Sequence, residues 1–319
     1  MIAATRIEKP FSILSLDGGG SKGAFTLGVL NELESHLGVE LHKHFDLIYG
    51  TSTGAIIAAY IALGFSVTDV YKNYLEIIPD VMSKWTKRGR SAALRIAADR
   101  EFGSYTFHDV RCRLAIVATR CDLHRPLIFK SHADLAHADA NTFVPGFGVS
   151  LANCLLASAA ASPFFERQHL KLSLLDRDEF TEAIDGGFVA NNPSMYALID
   201  AERALGLPRE NIRLCSIGTG AFPQKRRIAQ RLVKQVWLLS DAIALLEETL
   251  ESSSNSADFI RGVLFPGVSA VRINPTIGDA PFSTDLLESD TEILKQMYEY
   301  GIKSFNDSKH EIMSTLGVF

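Results

Sequence analysis

The chain has 319 residues, of which 47% are hydrophobic and 22% are charged. This composition is typical of a globular protein, and the length suits one large α/β domain or two small ones. A formal net charge of -5 at pH 7 argues against binding to a nucleic-acid polymer, which usually requires a strongly basic chain.

The first half of the chain twice repeats a strand, a glycine-rich turn and a helix. Phe11 to Leu16 is an apolar run of strand length, and after a glycine run leucines recur at helical spacing until Gly38. A second strand, Phe45 to Tyr49, leads through Gly50–Gly54 into an alanine-rich helix, Ala55 to Leu63. The apolar run that contains this helix has about half of the ~20 residues that a membrane-spanning helix needs. We therefore expect a protein that is soluble or at most peripheral to a membrane.

The second half adds strands to this alternation and ends in helices. Strands are predicted at Leu114 to Thr119, Ile212 to Ile217 and Val268 to Ile273. The polar run Ser252–Asn255 is expected to interrupt a helix, and a last helix is expected near Leu287 to Phe305. Strands that alternate with helices predict an α/β fold with a largely parallel central sheet covered by helices.

The cysteines and the N-terminus indicate the cellular compartment of the protein. None of the four cysteines forms a C-x-x-C pair, and all lie in apolar segments, so we expect reduced core thiols and no metal site. The first residues include Arg6, Glu8 and Lys9 and lack the apolar stretch of a signal peptide. Both observations predict a cytoplasmic protein. The cysteines are Cys112, Cys121, Cys154 and Cys215.

The turn after the second strand, Gly50-Thr51-Ser52-Thr53-Gly54, fits the G-x-S-x-G pattern. A strand before it and a helix of small residues after it are what a nucleophile elbow requires, because a sharp turn must expose the serine hydroxyl while Gly50 and Gly54 relieve crowding. The helix N-terminus would also favour negative charge at Ser52. The pattern alone is weak, and a glycine-rich turn without chemistry is the alternative. Ser52 is the candidate nucleophile.

The turn after the first strand, Asp17-Gly18-Gly19-Gly20-Ser21-Lys22-Gly23, is a candidate oxyanion hole. Glycines let the backbone approach a substrate carbonyl, so that N–H groups converge on the oxyanion, and a lysine adds positive charge. A phosphate or dinucleotide cradle is the alternative, because the run also fits G-x-G-x-x-G. The candidate residues are Gly18, Gly19, Gly20 and Lys22.

A third motif, Asp185-Gly186-Gly187, supplies a carboxylate and precedes Asn191-Asn192-Pro193. Asp185 closes a short apolar segment, as expected for a catalytic base at a strand end, although an isolated Asp-Gly-Gly is more often a turn. A Ser-Asp-His triad is a further alternative, because α/β-hydrolases follow that chain order. The one histidine after Asp185 is His310, in a polar segment, and the others, His169 among them, lack a recognisable catalytic context.

Together with Ser162-Pro163-Phe164-Phe165, these motifs in this order resemble the patatin-like phospholipase family. The resemblance implies a three-layer α/β sandwich and the hydrolysis of lipid acyl esters, in which Ser52 and Asp185 act as a dyad. It implies no metal and no organic cofactor. Lys22 stands where the family commonly has arginine, which keeps the charge but removes the bidentate fork.

The resemblance covers residues 12–200, with 201–319 expected as a mainly helical continuation packed on the same domain. It also assigns a supporting role to five motif glycines, namely Gly23, Gly50, Gly54, Gly186 and Gly187. The rival from another class is an ATP-dependent sugar kinase of the actin-like fold, which also opens with a strand and a glycine run. The kinase interpretation leaves the serine elbow unexplained.

Two basic stretches adjoin tryptophans and suit either lipid headgroups or an anionic ligand, or else are solvated helix faces. Compact patatin-like enzymes resemble antiphage effectors that a cyclic nucleotide activates. We therefore expect a membrane phospholipid substrate, a cyclic nucleotide activator, a homo-oligomer, and a location at the inner face of the membrane when active. A constitutive lipid esterase or thioesterase is the alternative. The stretches are Lys84, Lys87, Arg88 and Arg90 around Trp85, and Lys225, Arg226, Arg227, Arg231 and Lys234 before Trp237.

Overall fold

The structure is a computed structural model that describes residues 9–137, 142–174, 177–224 and 234–318, with the backbone alone over 234–242. Its strands are β1 (Phe11–Leu16), β2 (Leu47–Thr51), β3 (Arg113–Arg120), β4 (Arg125–Lys130), β5 (Gln168–Leu174), β6 (Arg177–Asp185), β7 (Ile212–Ile217) and β8 (Ser269–Ile273). Its α-helices are α1 (Gly23–Leu37), α2 (Leu41–His44), α3 (Thr53–Leu63), α4 (Val67–Met82), α5 (Lys87–Phe102), α6 (Leu151–Ser158), α7 (Gly187–Ala190), α8 (Ser194–Ile199), α9 (Lys234–Leu264) and α10 (Thr291–Leu316).

The strands form one sheet in the order β5-β6-β3-β2-β1-β7-β8, and β4 also pairs with β3. The run from β3 to β8 is parallel throughout, as the alternation of apolar strands and helices predicts. The pairings of β3 with β4 and β6, and of β5 with β6, are antiparallel. The predicted α/β class, a largely parallel sheet covered by helices, is confirmed.

Helices cover both faces of the sheet because its central strands are apolar on both sides. Along β1, Leu14 and Leu16 belong to the core shared with α1, α3 and α10, whereas Ile13 belongs to the core shared with α8. Tyr49 of β2 lies on the same side as Ile13. This alternation follows from the two-residue period of a strand and produces three layers.

Two strands meet head-on beside β3, and this meeting positions the site. β2 pairs with the first part of β3, β6 pairs with its last three residues, and β4 occupies the opposite edge. Thr51, the last residue of β2, lies opposite Val117, and Asp185, the last residue of β6, lies opposite Ala118. The ends of β2 and β6 therefore approach each other from opposite directions.

The first and last helices, α1 and α10, pack very closely where they cross, because each has a glycine at the crossing. A Cβ on Gly28 of α1 would lie 2.0 Å from the carbonyl oxygen of Tyr298, and one on Gly301 of α10 would lie 2.1 Å from that of Phe25. No side chain fits at either position, so the two backbones pack directly against each other.

The structure corrects three expectations about single elements. The Ser252–Asn255 run does not interrupt α9, because Ser254 is buried and its hydroxyl accepts a hydrogen bond from Asn191 Nδ2 at 2.9 Å. The last helix begins later than expected, at Thr291, where Asp290 caps it, and extends to Leu316. Strands β4 and β5 were not predicted. β4 begins with the exposed residues Arg125 and Pro126, and β5 exposes His169 and Lys171, so neither is a buried apolar run.

Three cysteines lie in the core as expected, and Cys121 is half-buried; all four are free thiols. Burial raises the pKa of Cys112 and of Cys215 to about 12. Across the described ranges, no helix combines the length and the apolar character needed to cross a bilayer.

Candidate active site

Ser52 occupies the sharp turn between β2 and α3 with a positive φ of 54°. A residue with a side chain is strained in this conformation, which is typical of a nucleophile elbow. The flanking glycines make the turn possible. A Cβ on Gly50 would lie 2.5 Å from Ala55 Cα, and one on Gly54 would lie 2.4 Å from the carbonyl oxygen of Leu16.

Asp185 reaches Ser52 from the end of β6. The Ser52 hydroxyl donates a hydrogen bond to Asp185 Oδ2 at 2.6 Å, and the N–H of Gly187 donates to Oδ1 at 2.7 Å. Gly186 is required because a Cβ there would lie 2.2 Å from the carbonyl oxygen of Val117. The structure thus brings together the two side chains that the sequence singled out, and both carboxylate oxygens of Asp185 are occupied.

The protonation of Asp185 is set mainly by burial. Burial raises the pKa of Asp185 to about 6, and the hydrogen bonds from Ser52 and Gly187 act in the opposite direction. The carboxyl group is therefore ionised at neutral pH, yet it binds a proton far more readily than an exposed aspartate. This combination suits a group that accepts and returns a proton.

A serine that the sequence did not indicate holds the elbow in place. Ser158, at the end of α6, accepts a hydrogen bond from the N–H of Ser52 at 2.8 Å and donates one to the carbonyl oxygen of Val117 at 2.5 Å. No motif marks this residue in the sequence. Because its amide is already bound, Ser52 does not offer its own N–H to a substrate.

The glycine run lies beside Ser52, and its three glycines differ in what they offer. The N–H of Gly18 already donates to the carbonyl oxygen of Asn191 at 3.1 Å, so Gly18 does not fit the predicted role of oxyanion donor. Within the described part of the chain, the N–H groups of Gly19 and Gly20 have no acceptor. Gly20 has a φ of +56°, and a Cβ there would lie 2.4 Å from the carbonyl oxygen of Leu286. Gly19 and Gly20 are thus the available donors.

Lys22 does not line the cavity that contains Ser52, as its predicted role in the oxyanion hole would require. Its Nζ lies 3.3 Å from Glu247 Oε1 of α9, and both side chains are largely buried. Lys22 lines a smaller polar cavity next to the one that contains Ser52. In this structure it ties the start of α1 to α9. Gly23 follows it at the start of α1, where a Cβ would lie 2.7 Å from Thr53 Oγ1.

Asp17, the first residue of the glycine run, anchors that run to β8. Its carboxylate forms a bidentate ion pair with Arg272, with distances of 2.8 Å and 2.5 Å. Arg272 also donates to Ser216 Oγ of β7 at 2.9 Å. Both members of this pair are almost fully buried, so removing either would leave an uncompensated charge.

Ser52 and Asp185 line the same predominantly apolar cavity. Gly19 and Gly20 lie on its wall, and Phe164 and Phe165 of the Ser-Pro-Phe-Phe motif contribute aromatic rings. Among the residues that the structure describes, no histidine lines this cavity. His169 and His310 are exposed on β5 and α10, which does not favour the triad alternative.

A second, smaller apolar cavity adjoins the first. Ile56 of α3 and Leu94 of α5 line both cavities and so stand between them. Tyr60 and Phe102 line the second cavity farther from Ser52. We therefore expect these two side chains to limit how far a long apolar ligand extends from the serine.

The family model for patatin-like phospholipases matches residues 14–198 of the chain. That span includes the glycine run, the serine elbow and the Asp-Gly-Gly motif, so the kinase alternative is not retained. The chain is 43% identical over 305 residues to a cUMP-AMP-activated phospholipase of Escherichia coli, covering 95% of this chain and 93% of that relative. It is 28% identical over 243 residues to a cGAMP-activated phospholipase of Escherichia coli (strain TW11681), covering 69% of this chain and 65% of that relative.

Among solved structures, the chain is similar to human GIVD cytosolic phospholipase A2, with a TM-score of 0.49 and 10% sequence identity. The superposition covers 97% of this chain and 60% of that structure.

Proposed function

Because the chain belongs to the patatin-like phospholipase family, we propose that it hydrolyses acyl esters of membrane phospholipids, with Ser52 as nucleophile and Asp185 as general base. The observation that carries this proposal is the 2.6 Å hydrogen bond from Ser52 Oγ to Asp185 Oδ2 on the wall of an apolar cavity. A serine hydroxyl becomes a strong nucleophile when an adjacent base takes its proton.

In the acylation step, Ser52 Oγ attacks the ester carbonyl while its proton moves to Asp185 Oδ2. The N–H groups of Gly19 and Gly20 stabilise the oxyanion of the tetrahedral intermediate. When that intermediate collapses, the bond to the leaving alcohol breaks and Asp185 returns the proton to the alcohol oxygen. In the second step a water molecule gives a proton to Asp185 and attacks the acyl-enzyme. Collapse of the new intermediate frees the fatty acid, and Asp185 returns the proton to Ser52.

Loss of either dyad residue tests this assignment. Ser52→Ala and Asp185→Asn should each lower fatty acid release from phospholipid vesicles by at least about a thousandfold, because the two side chains act as one proton-transfer unit. Circular dichroism should show that both variants keep the fold. His169→Ala and His310→Ala are the matched controls and should retain wild-type rates. A histidine variant as inactive as Ser52→Ala, beside an active Asp185→Asn, would replace the dyad with a triad.

We further propose that a cyclic nucleotide activates this hydrolysis, at the inner face of the cytoplasmic membrane. The names of the two Escherichia coli relatives, one cUMP-AMP-activated and one cGAMP-activated, support this proposal. A messenger activates only if it binds the active state better than the resting one, so it should also raise thermal stability or promote a homo-oligomer. The role expected for the second basic stretch stays a prediction. Its residues Lys225 to Arg231 lie outside the described residues, and Lys234 and Trp237 lie where only the backbone is described.

Phospholipid hydrolysis should be measured with cUMP-AMP, with cGAMP and without nucleotide. We expect a large increase with one of them and a parallel rise in melting temperature. High activity without any nucleotide, unchanged by all of them, would identify a constitutive lipid esterase.

A further inference from the structure

The turn between α4 and α5, residues Ser83 to Thr86, stands at the rim of the cavity that holds Ser52. The last turns of α4 line this cavity through Val81 and Met82, and α5 lines it through Leu94. Phe188 lines the same cavity and is 46% exposed. The rim of the cavity is therefore apolar, and it is partly open at Phe188.

Trp85 projects from this turn with 96% of its surface exposed. Tryptophan is the largest apolar side chain and is usually highly buried, so near-complete exposure requires an explanation. The turn that displays it is firmly built. Arg90 is buried and donates to the carbonyl oxygens of Lys84 at 2.6 Å and of Phe164 at 3.1 Å. Thr86 caps α5 by accepting a hydrogen bond from the N–H of Gly89 at 3.0 Å.

Positive charge flanks the exposed indole. Lys84 is paired with Asp80 at 2.5 Å, whereas neither Lys87 nor Arg88 pairs with any acidic group that the structure describes. Both of these side chains are exposed. An indole with adjacent cations is the combination that favours the interface of an anionic bilayer, where the ring lies at headgroup level and the charges meet phosphates.

We propose that Trp85, Lys87 and Arg88 form the surface by which the protein docks on an anionic phospholipid bilayer. Insertion of the indole brings the apolar rim against the lipid, so that an acyl chain passes from the bilayer to Ser52 without crossing water. The purpose of this surface rests on the proposed phospholipase function, but its binding to lipid is measurable without any hydrolysis.

Fluorescence tests the binding directly. The chain has two tryptophans, so Trp237→Phe leaves Trp85 as the sole reporter, and Ser52→Ala in the same protein prevents hydrolysis. Vesicles of phosphatidylglycerol and phosphatidylcholine should shift its emission to the blue, and brominated lipids should quench it. Vesicles of phosphatidylcholine alone should have a weaker effect. Unchanged emission with every vesicle, in the presence and absence of cUMP-AMP, would overturn the proposal.

Substitutions separate docking from catalysis. Trp85→Ala should lower vesicle binding and vesicle hydrolysis by at least about tenfold, and Lys87→Ala and Arg88→Ala by about fivefold each. All three should hydrolyse a water-soluble short-chain ester at the wild-type rate, with cUMP-AMP present if the enzyme requires it. The matched control is Phe259→Ala. Phe259 is 73% exposed on α9 and lines neither of the two apolar cavities, so Phe259→Ala should change neither vesicle hydrolysis nor hydrolysis of the soluble ester.

The remaining outcomes are equally informative. A wild-type protein that binds vesicles but hydrolyses no ester would refute the proposed function and leave the docking surface intact. An equal loss on vesicles and on the soluble ester in Trp85→Ala would show that the turn supports the catalytic fold, and would overturn docking. A change of oligomeric state on size-exclusion chromatography, without loss of vesicle binding, would assign the surface to a second copy of the chain.

Discussion

At Asp185 two requirements oppose each other. A general base must be ionised, and burial disfavours the ionised form. The hydrogen bonds from Ser52 and from the N–H of Gly187 reduce the cost without removing it, and the pKa remains raised to about 6. The side chain is thus ionised at neutral pH by a narrow margin, which makes it a better proton acceptor than an exposed aspartate.

The raised pKa of Asp185 predicts that activity falls on the acid side of the pH profile of kcat/KM. Below a pH of about 6 the carboxyl group is protonated and no longer accepts the Ser52 proton, so kcat/KM should fall about tenfold per pH unit. The profile should be measured on a water-soluble ester, which avoids changes in the bilayer itself. An apparent pKa near that of an exposed aspartate would contradict the assignment of Asp185 as base.

The raised pKa of Asp185 also predicts that the difference in unfolding free energy between Asp185→Asn and the wild type depends on pH. The native state holds the Asp185 proton up to about pH 6, whereas the unfolded chain releases it near the ordinary value of 3.8. In that window the unfolded state binds fewer protons, so the wild-type free energy of unfolding falls as pH rises. Asp185→Asn lacks this titration. Its unfolding free energy relative to wild type should therefore rise by up to ~3 kcal/mol between about pH 4 and pH 7. Urea unfolding of both proteins at pH 4 and pH 7 measures this change. A difference in unfolding free energy that is the same at both pH values would refute the raised pKa of Asp185.

Gly19 is the position where a single methyl group should separate turnover from folding. A Cβ there would lie 2.5 Å from Thr219 Cγ2, so Gly19→Ala must displace either Thr219 or the loop that carries the free N–H groups. We expect kcat on a soluble ester to fall by about a hundredfold, the usual effect of losing an oxyanion donor. Gly262→Ala, where a Cβ meets nothing within 4 Å, is the control. A kcat within a few-fold of wild type would place the oxyanion hole elsewhere.

At the scale of elements, the site depends on where strands end. The central strands were predictable because each is a short apolar run, and the elbow was predictable because Gly50 and Gly54 punctuate it. The head-on meeting of β2 and β6 was not, since β6 begins with charged residues and belongs to the antiparallel part of the sheet. Long-range partners left no local signal either. Arg272 lies 255 residues from Asp17, and no motif marks Ser158.

The wall between the two apolar cavities predicts a change in acyl-chain preference. Leu94→Ala should open the second cavity to the chain bound at Ser52 and extend the preferred length by several methylene groups. Each additional buried methylene should raise kcat/KM by about fourfold. A series of saturated acyl esters measures this, and Ile96→Ala, 70% exposed on the same helix, is the control. A chain-length profile parallel to that of wild type would show that Leu94 does not limit the acyl group.

At the scale of the molecule, residues 201–319 complete the sheet that residues 12–200 begin. Six residues of β1 pair with β7, Asp17 pairs with Arg272, and α1 packs on α10. A fragment of residues 1–200 would expose an apolar strand edge and an unpaired buried charge. We expect it to aggregate, whereas truncation after Gly317 should leave a cooperative thermal transition. A soluble 1–200 fragment that unfolds cooperatively would show that the motif-bearing region is an independent domain.

The crossing of α1 and α10 also determines when the site is completed during translation. Ser52 and Asp185 are translated early. The glycine loop beside them, however, is held by residues that are translated late. Arg272 pairs with Asp17, the carbonyl oxygen of Leu286 accepts a hydrogen bond from the N–H of Ser21, and the last helix packs on α1. A nascent chain that already carries both reactive side chains therefore lacks the pocket in which they work. We therefore expect the nascent chain to gain hydrolytic activity only after translation has passed Leu316, when the last helix packs on α1.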